Sequence, residues 1–225
     1  MFGMNKIDYN AKMKEIINSL NTKPRLLLHS CCGPCSSSVL DRIKNYFDIT
    51  VIYYNPNIYP KEEYIHRKEE QIRLLKELNI NFMDCDYNQD DFFKEIKGLE
   101  DEKEGGARCN KCFYLRLNKV AQIAQNNGYE YFGTTLTVSP HKNSENINLI
   151  GKNLQEKYKI NYLFADFKKE DGYLNSIKLA KKYNLYRQDY CGCIFSLEEK
   201  KKRIWKKFLK GLVLFLVLLQ LLFVR

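Results

Sequence analysis

The stretch Arg25-Leu-Leu-Leu-His-Ser-Cys-Cys-Gly-Pro-Cys-Ser-Ser-Ser-Val39 joins an apolar run, a cluster of thiols and a run of small residues. The apolar run predicts a buried strand over Arg25–His29, and the segment beginning at Ser37 predicts a helix. A strand that leads into a helix through a short turn is the repeating unit of a parallel α/β sheet. The stretch therefore predicts an α/β fold with thiols at the end of its first strand.

The same alternation continues along the chain. Short apolar or β-branched runs predict further strands at residues 49–54, 129–137 and 161–167. Helical periodicity predicts helices at residues 37–46, 62–78, 112–126 and 173–183. This order favours a mainly parallel sheet with helices on both faces, in which the carboxyl ends of the strands lie along one edge.

Three segments are predicted within the 225 residues. Residues 1–22 are polar and predict an N-terminal helix and no signal peptide, residues 23–199 form one α/β domain with the metal site, and residues 200–225 form a tail. The tail starts with the basic run Lys-Lys-Lys-Arg-Ile-Trp-Lys-Lys, a candidate for phosphate binding, and ends with an apolar run at 212–224. That run is shorter than the roughly 20 residues of a spanning helix, so we expect no stable membrane insertion and a cytoplasmic protein. The role of this run is left open: it could dock on the domain, mediate oligomerisation or contact a membrane surface.

The chain carries a net charge of +10, with 37 Lys and Arg beside 16 Tyr and 13 Phe. Such a composition suits a nucleic acid, because cations bind phosphate and aromatic faces stack on bases. A lysine-rich solvated surface would give the same charge without such a partner. Charge alone leaves both interpretations open.

Most of the cysteines are clustered. They stand at positions 31, 32, 35, 85, 109, 112, 191 and 193. In the reducing compartment expected here, clustered thiols are metal ligands or redox groups more often than structural disulfides. Cys32-Gly-Pro-Cys35 has the spacing of thioredoxin, but a thioredoxin domain would leave Cys31, Cys109 and Cys112 without a role.

Cys109-Asn-Lys-Cys112 is predicted to open a helix, which places both thiols on one face and favours the thiolate form. Cys31 and Cys32 precede another helix start. Two thiolate clusters at two helix N-termini predict a four-sulfur metal site at the strand ends. Spacing alone leaves zinc and an iron–sulfur cluster open.

Cys191-Gly-Cys193 is different in kind. A disulfide between these residues would close a small strained ring with a raised reduction potential, and Gly192 would let the backbone bend. We interpret the two thiols as a redox-active pair, with two further metal ligands as the alternative. Cys85 is interpreted as a strand-end or core cysteine.

Other polar groups also follow predicted strands. Asn55-Pro-Asn57 and Ser139-Pro-His141 are expected to converge with Cys31 on one rim of the sheet. His141 and Lys142 are candidates for donating a proton or binding phosphate, and simple solvation is the alternative. Four tyrosines lie near the second predicted strand: Tyr53, Tyr54, Tyr59 and Tyr64. Their rings could stack on a base of the partner or pack in the core, and the sequence leaves both roles open.

Together these motifs resemble the QueH family of epoxyqueuosine reductases over residues 24–196. The resemblance is carried by His29-Ser-Cys-Cys-Gly-Pro-Cys35, Tyr54-Asn-Pro-Asn-Ile-Tyr-Pro60 with Glu63-Tyr64 and Arg67-Lys68, Arg108-Cys-Asn-Lys-Cys-Phe-Tyr-Leu-Arg-Leu117, Thr134-Thr-Leu-Thr-Val-Ser-Pro-His-Lys142 and Tyr190-Cys-Gly-Cys193. It implies a HUP-like, Rossmann-type fold with a metal site at the carboxyl edge of the sheet. It also implies reduction of epoxyqueuosine to queuosine at the tRNA wobble position, with the anticodon loop and an unidentified electron donor as partners.

By the same resemblance, Cys31, Cys32, Cys109 and Cys112 match the ligands of a [4Fe-4S] cluster. Cys191 and Cys193 match a redox-active disulfide. Cys35 is ambiguous, either a spare thiol or a ligand to a second, mononuclear metal ion. The thioredoxin-like spacing would then be accidental.

Two other functions are considered. An ATP-dependent tRNA thiolase shares such a sheet, but it requires a Ser-Gly-Gly-x-Asp-Ser phosphate loop, which Ser30-Cys-Cys-Gly-Pro-Cys35 does not provide. A zinc-stabilised RNA-binding module is the non-catalytic alternative.

Overall fold

The structure is a computed structural model that describes residues 7–223, with side chains through residue 211. The helices are α1 (Tyr9–Asn18), α2 (Gly33–Ile43), α3 (Lys61–Glu77), α4 (Gln89–Glu95), α5 (Ala107–Asn126), α6 (Ser144–Tyr158), α7 (Gly172–Lys182) and α8 (Ile194–Phe223). The strands are β1 (Arg25–His29), β2 (Asp48–Tyr53), β3 (Asn81–Asp84), β4 (Tyr131–Thr134) and β5 (Asn161–Tyr162). A short 3-10 helix, Leu136–Val138, follows β4.

The five strands form one parallel sheet in the order β3-β2-β1-β4-β5. β1 lies at the centre, paired with β2 on one side and β4 on the other. The chain order reverses at β1, and in such sheets the crevice at the carboxyl ends beside the reversal is where ligands bind. The β1–α2 turn with its thiols lies at this point.

Alternate residues of β1 explain why helices cover both faces. Leu27 packs in a core with Phe113 and Leu117 of α5, whereas Leu26 and Leu28 pack in a second core with α2. All three leucines are fully buried. Because successive side chains of a strand point to opposite faces, an uninterrupted apolar strand requires a layer on each side. The predicted α/β fold with a parallel sheet is confirmed.

Several predicted elements differ in their bounds. α2 starts at Gly33 and not at Ser37, because Pro34 is well suited to the first turn of a helix. The strands predicted at 129–137 and 161–167 are too long. β4 ends at Thr134 and β5 at Tyr162, although the residues after them remain buried.

The short β3 and the helices α4 and α6 were not predicted. α6 contains Gly151, and a Cβ there would lie 2.3 Å from the ring of Tyr162. The glycine therefore lets α6 approach β5 closely. Its start is capped by Asn143, whose side chain accepts hydrogen bonds from two backbone N–H groups of the first turn.

The chain divides into two compact units after Arg187. The second unit contains the loop with Cys191 and Cys193, followed by α8. No helix in the described part of the chain is both long and apolar enough to cross a membrane. The three predicted segments remain predictions. α1 lies within the first of them, while residues 1–6 and the side chains of the apolar run at 212–224 lie outside the described part.

Candidate metal centre and catalytic site

Three thiols meet in the turn between β1 and α2. Cys32 is the N-cap residue of α2, and Cys35 lies in the first turn of that helix. The Sγ atoms of Cys31, Cys32 and Cys35 all lie within 4.8 Å of one another. Cys31 and Cys32 are almost fully buried, with 6% and 1% of their surface exposed. The structure thus gathers soft sulfur donors in a protected turn, the donor type that zinc and iron–sulfur clusters prefer.

The three thiols are unequal in acidity. Hydrogen bonds from the Cys32 and Cys35 thiols hold the pKa of Cys31 well below its ordinary value, and the Lys142 ammonium acts in the same direction. The hydrogen bond to Cys31 raises the pKa of Cys32 to about 11, and that of Cys35 is also raised. The negative charge of the group is therefore concentrated on Cys31. A thiolate is the form of cysteine that binds metal.

His29, the last residue of β1, fixes the start of this turn through two hydrogen bonds of its ring. Its Nε2 lies 3.1 Å from the carbonyl oxygen of Tyr54, and its Nδ1 lies 3.0 Å from Oγ1 of Thr134. Burial lowers the pKa of His29 to about 4, so the ring is neutral. Since a carbonyl only accepts, Nε2 carries the proton and Nδ1 accepts from the threonine hydroxyl. The ring thereby ties the ends of β1, β2 and β4 together.

A second buried network fixes the start of α2. The hydroxyls of Ser30 and Ser36 each donate to Oε1 of Gln71 on α3, at 2.8 Å. The side-chain amide of Asn55 donates to the backbone oxygen of Ser30 at 2.8 Å. The sequence pattern predicts Asn55 at this rim but does not indicate Ser30, Ser36 and Gln71. The consecutive serines after Cys35 were the available signal, since buried hydroxyls require partners.

Cys109 and Cys112 lie near the N-terminus of α5, as predicted. The backbone N–H of Gly105 donates to Sγ of Cys109 at 3.2 Å, and Cys109 packs against the same core as Cys31 and Cys32. Among the described residues, neither Cys109 nor Cys112 belongs to the group of thiols within 4.8 Å of one another. The structure therefore groups Cys35 with Cys31 and Cys32 and places Cys109 against the same core.

Other predicted residues lie around the rim. His141 and Lys142 line an open pocket of about 650 Å³ together with Lys168 and Lys169. Asp166 also lines it, 3.2 Å from the Lys168 ammonium, as do Asp8 and Glu145. Three lysines and three carboxylates therefore share the pocket. Lys142 connects it electrostatically to Cys31.

The tyrosines divide into two groups. Tyr53, Tyr54 and Tyr64 are buried, and the ring of Tyr64 stacks on Tyr87 at 3.9 Å. Tyr59 is exposed, with 37% of its surface accessible. Core packing thus accounts for three of the four candidates, and Tyr59 alone among them is exposed. Cys85 follows the end of β3 and packs against the core, as predicted.

Cys191 and Cys193 lie in the second unit, and both are partly exposed. Gly192 between them has a φ of 127°, a conformation that favours glycine. The Cys193 thiol lies 3.5 Å from Oγ of Ser196, which accepts from the N–H of Gly192 and donates to the carbonyl of Cys193. Within residues 7–223 the structure has no disulfide bond. The sequence did not indicate a role for Ser196. It lies in the first turn of α8, three residues after Cys193, a spacing at which a side chain can bond the backbone at a helix start.

Comparison with known proteins bears on this arrangement. A family model described as epoxyqueuosine reductase QueH matches residues 26–199. The chain is 42% identical over 202 residues to the epoxyqueuosine reductase QueH of Staphylococcus aureus, covering 85% of this chain and 84% of that protein. It is 36% identical over 181 residues to the protein of that name from Thermotoga maritima, covering 79% of this chain and 93% of that protein.

Among solved structures, the chain resembles the U34-tRNA thiolase NcsA from Methanococcus maripaludis with its [4Fe-4S] cluster. The TM-score is 0.53 at 12% identity, and the alignment covers 84% of this chain and 67% of that one. At this identity the likeness concerns the fold, and it confirms the HUP-like, Rossmann-type prediction.

The family match extends over the β1–α2 thiols, the α5 thiols and the Cys-Gly-Cys loop alike. It therefore favours the predicted reductase over the thiolase and the RNA-binding module. With these motifs, this sheet and this degree of identity, the chain belongs to the QueH family and is an epoxyqueuosine reductase, an oxidoreductase that converts epoxyqueuosine to queuosine in tRNA.

Proposed function

We propose that the chain performs this reduction with a [4Fe-4S] cluster at the carboxyl edge of the sheet and with Cys191 and Cys193 as a redox-active pair. The carrying observation is the group of three thiols within 4.8 Å in the β1–α2 turn. The [4Fe-4S] cluster of NcsA, which shares this fold, supports the choice of iron–sulfur over zinc.

The proposed ligands are Cys31, Cys32, Cys109 and Cys112. The first two are buried at the sheet edge, and Cys109 packs against the same core from the start of α5. Cys35, which lies within 4.8 Å of the first two thiols, is left as the ligand of a second, mononuclear metal ion beside the cluster. When bound, a [4Fe-4S] cluster supplies electrons one at a time.

The dithiol accounts for the stoichiometry. Converting an epoxide to an alkene consumes two electrons and two protons and releases the oxygen as water. Oxidation of Cys191 and Cys193 to a disulfide releases two electrons and two protons, so one turnover balances. An external donor in a reducing cytoplasm would return the disulfide to the dithiol.

The pocket of about 650 Å³ is the proposed contact for the tRNA anticodon loop, through its lysines. Lys168 and Lys169 line it, and phosphate contacts by such lysines do not depend on base sequence. Lys142 lines the pocket and acts electrostatically on Cys31, and its ammonium is suited to donating a proton to the departing oxygen. The exposed ring of Tyr59 is the candidate for stacking on an extruded base.

Anaerobic purification followed by metal analysis tests the proposal. We expect a brown protein that contains iron and forms queuosine in tRNA carrying epoxyqueuosine, measured by mass spectrometry of the nucleosides. A colourless zinc protein that remains active would contradict the proposed iron–sulfur cluster.

A second experiment tests the tRNA contact. Replacing Lys168 and Lys169 by Gln should weaken tRNA binding and reduce its dependence on salt concentration. The matched variant Lys181→Gln/Lys182→Gln on α7 should not.

A further inference from the structure

The helix α8 continues past the region that the family model covers. The match ends at residue 199, whereas α8 extends to Phe223. Between residues 203 and 210 the helix carries two opposite faces. With about 3.6 residues per turn, Arg203, Lys206, Lys207 and Lys210 fall on one side and the apolar residues fall on the other.

The apolar face is unusually open. Ile204, Trp205 and Phe208 are 58%, 61% and 59% exposed, and Leu209 is 41% exposed. The rings of Trp205 and Phe208 stack on each other, with centroids 5.7 Å apart. Scattered apolar residues on a surface need no explanation, but a contiguous aromatic and aliphatic patch marks an interaction site.

The basic face and the apolar face together indicate which class of partner the helix binds. A nucleic acid would engage the cations but leave the apolar face in water. A lipid surface satisfies both, because its acyl boundary accepts apolar side chains and its anionic headgroups attract lysine and arginine. In sequence, the apolar run at 212–224 follows this segment after Gly211.

We propose that residues 203–210 of α8 form an amphipathic helix that docks on anionic lipid bilayers. The helix lies in the plane of the interface. Trp205 and Phe208 enter the boundary between headgroups and acyl chains, and the four cations contact lipid phosphates. Docking of this kind holds a protein at a membrane surface and requires no spanning helix. The proposal goes beyond the reductase activity and does not depend on how the cluster is ligated.

The test uses the full chain, because its single tryptophan lies on the proposed contact face. In vesicles of phosphatidylglycerol mixed with phosphatidylcholine, the emission of Trp205 should shift to the blue. Partitioning should be at least about tenfold stronger than in vesicles of phosphatidylcholine alone. Phe208→Ser/Leu209→Ser should abolish partitioning while leaving queuosine formation unchanged, which also shows that the variant is folded.

Changing the four cations of the proposed contact segment, Arg203, Lys206, Lys207 and Lys210, to Gln should remove the preference for anionic vesicles. The control variant changes four exposed lysines elsewhere, Lys44, Lys178, Lys181 and Lys182, and should keep that preference. Equal partitioning into neutral vesicles would overturn the proposal. A blue shift of the Trp205 emission on adding tRNA, with none on adding vesicles, would also overturn it. A blue shift that depends only on protein concentration would do the same, because it would report self-association.

Discussion

Two groups of cysteines in this chain occupy opposite physical settings. Cys31 and Cys32 are buried in the turn that follows the central strand of a parallel sheet, and hydrogen bonds at the ends of three strands hold that turn in place. Cys191 and Cys193 are partly exposed in a loop of the second unit, on either side of a glycine with positive φ. A rigid, buried turn preorganises ligands at no cost on metal binding, whereas an accessible loop with a flexible link permits thiol exchange. The same residue type is thereby suited to holding a cofactor in one place and to moving electrons in the other.

Removing a buried thiol should give the largest effect. Cys31→Ala deletes the thiol of lowest pKa in the group, and the remaining thiols cannot replace its thiolate. We expect the iron content per chain to fall to background. Queuosine formation should drop about 100-fold or more, equivalent to about 2.7 kcal/mol. Stability should fall as well, because site formation is coupled to folding.

Cys85→Ser is the matched control for that loss, since Cys85 packs against the same core without joining the close thiol group. It should retain both iron and activity. A Cys31→Ala protein that retains its iron would show that the buried turn is not the metal site.

The ligand set is tested by comparing Cys35→Ser with Cys109→Ala. If Cys109 is a cluster ligand, Cys109→Ala should lose most of its iron and turnover, while Cys35→Ser should lose at most the second metal ion. Metal analysis and the optical spectrum of both variants provide the measurement. The reverse result, iron lost in Cys35→Ser and kept in Cys109→Ala, would replace Cys109 by Cys35 in the cluster. The closeness of Cys35 to Cys31 and Cys32 makes this comparison informative.

Cys191→Ser should have the opposite effect to Cys31→Ala on iron content. The variant should keep its iron and colour, because the loop is proposed to transfer electrons and not to hold the cluster. It should fail to turn over with a thiol reductant, yet regain part of its activity with dithionite, a strong one-electron donor. Iron loss as complete as in Cys31→Ala would make Cys191 a ligand and would remove the distinction between the two groups.

How much the sequence predicted depends on the range of the interactions involved. The bounds of β1 were predicted correctly because its apolar run is bordered by a proline on one side and the polar turn on the other. The thiols after it were predicted as a site because strand and turn are adjacent in the chain. By contrast, the mostly apolar residues 163–167 predict a continued strand, but apolar character reports burial only. It does not report whether the backbone pairs with a neighbouring strand.

The missed elements have the same explanation. β3 is a four-residue edge strand with exposed ends, so it carries little apolar pattern. Gln71, which secures Ser30 and Ser36, lies 35 residues or more away in sequence, and its role follows from the packing of α3 beside α2. Local patterns predict which residues carry the chemistry. The residues that position them are selected by tertiary contacts that a single sequence does not display.

The smallest effect is expected from Gly192→Ala, which leaves both thiols in place. Gly192 has a φ of 127°, where an alanine is strained by about 1–3 kcal/mol. The strain should disfavour the backbone geometry of the Cys191–Cys193 loop and slow turnover several-fold with a thiol reductant, while iron content stays unchanged. Gly211→Ala in α8 is the matched control, because nothing lies within 4 Å of its added Cβ and alanine suits a helix interior. Steady-state rates of both variants with a thiol reductant and with dithionite separate the loop from the cluster. A Gly192→Ala protein that is equally slow with both donors would indicate that the glycine serves the fold of the second unit and has no particular role in electron delivery.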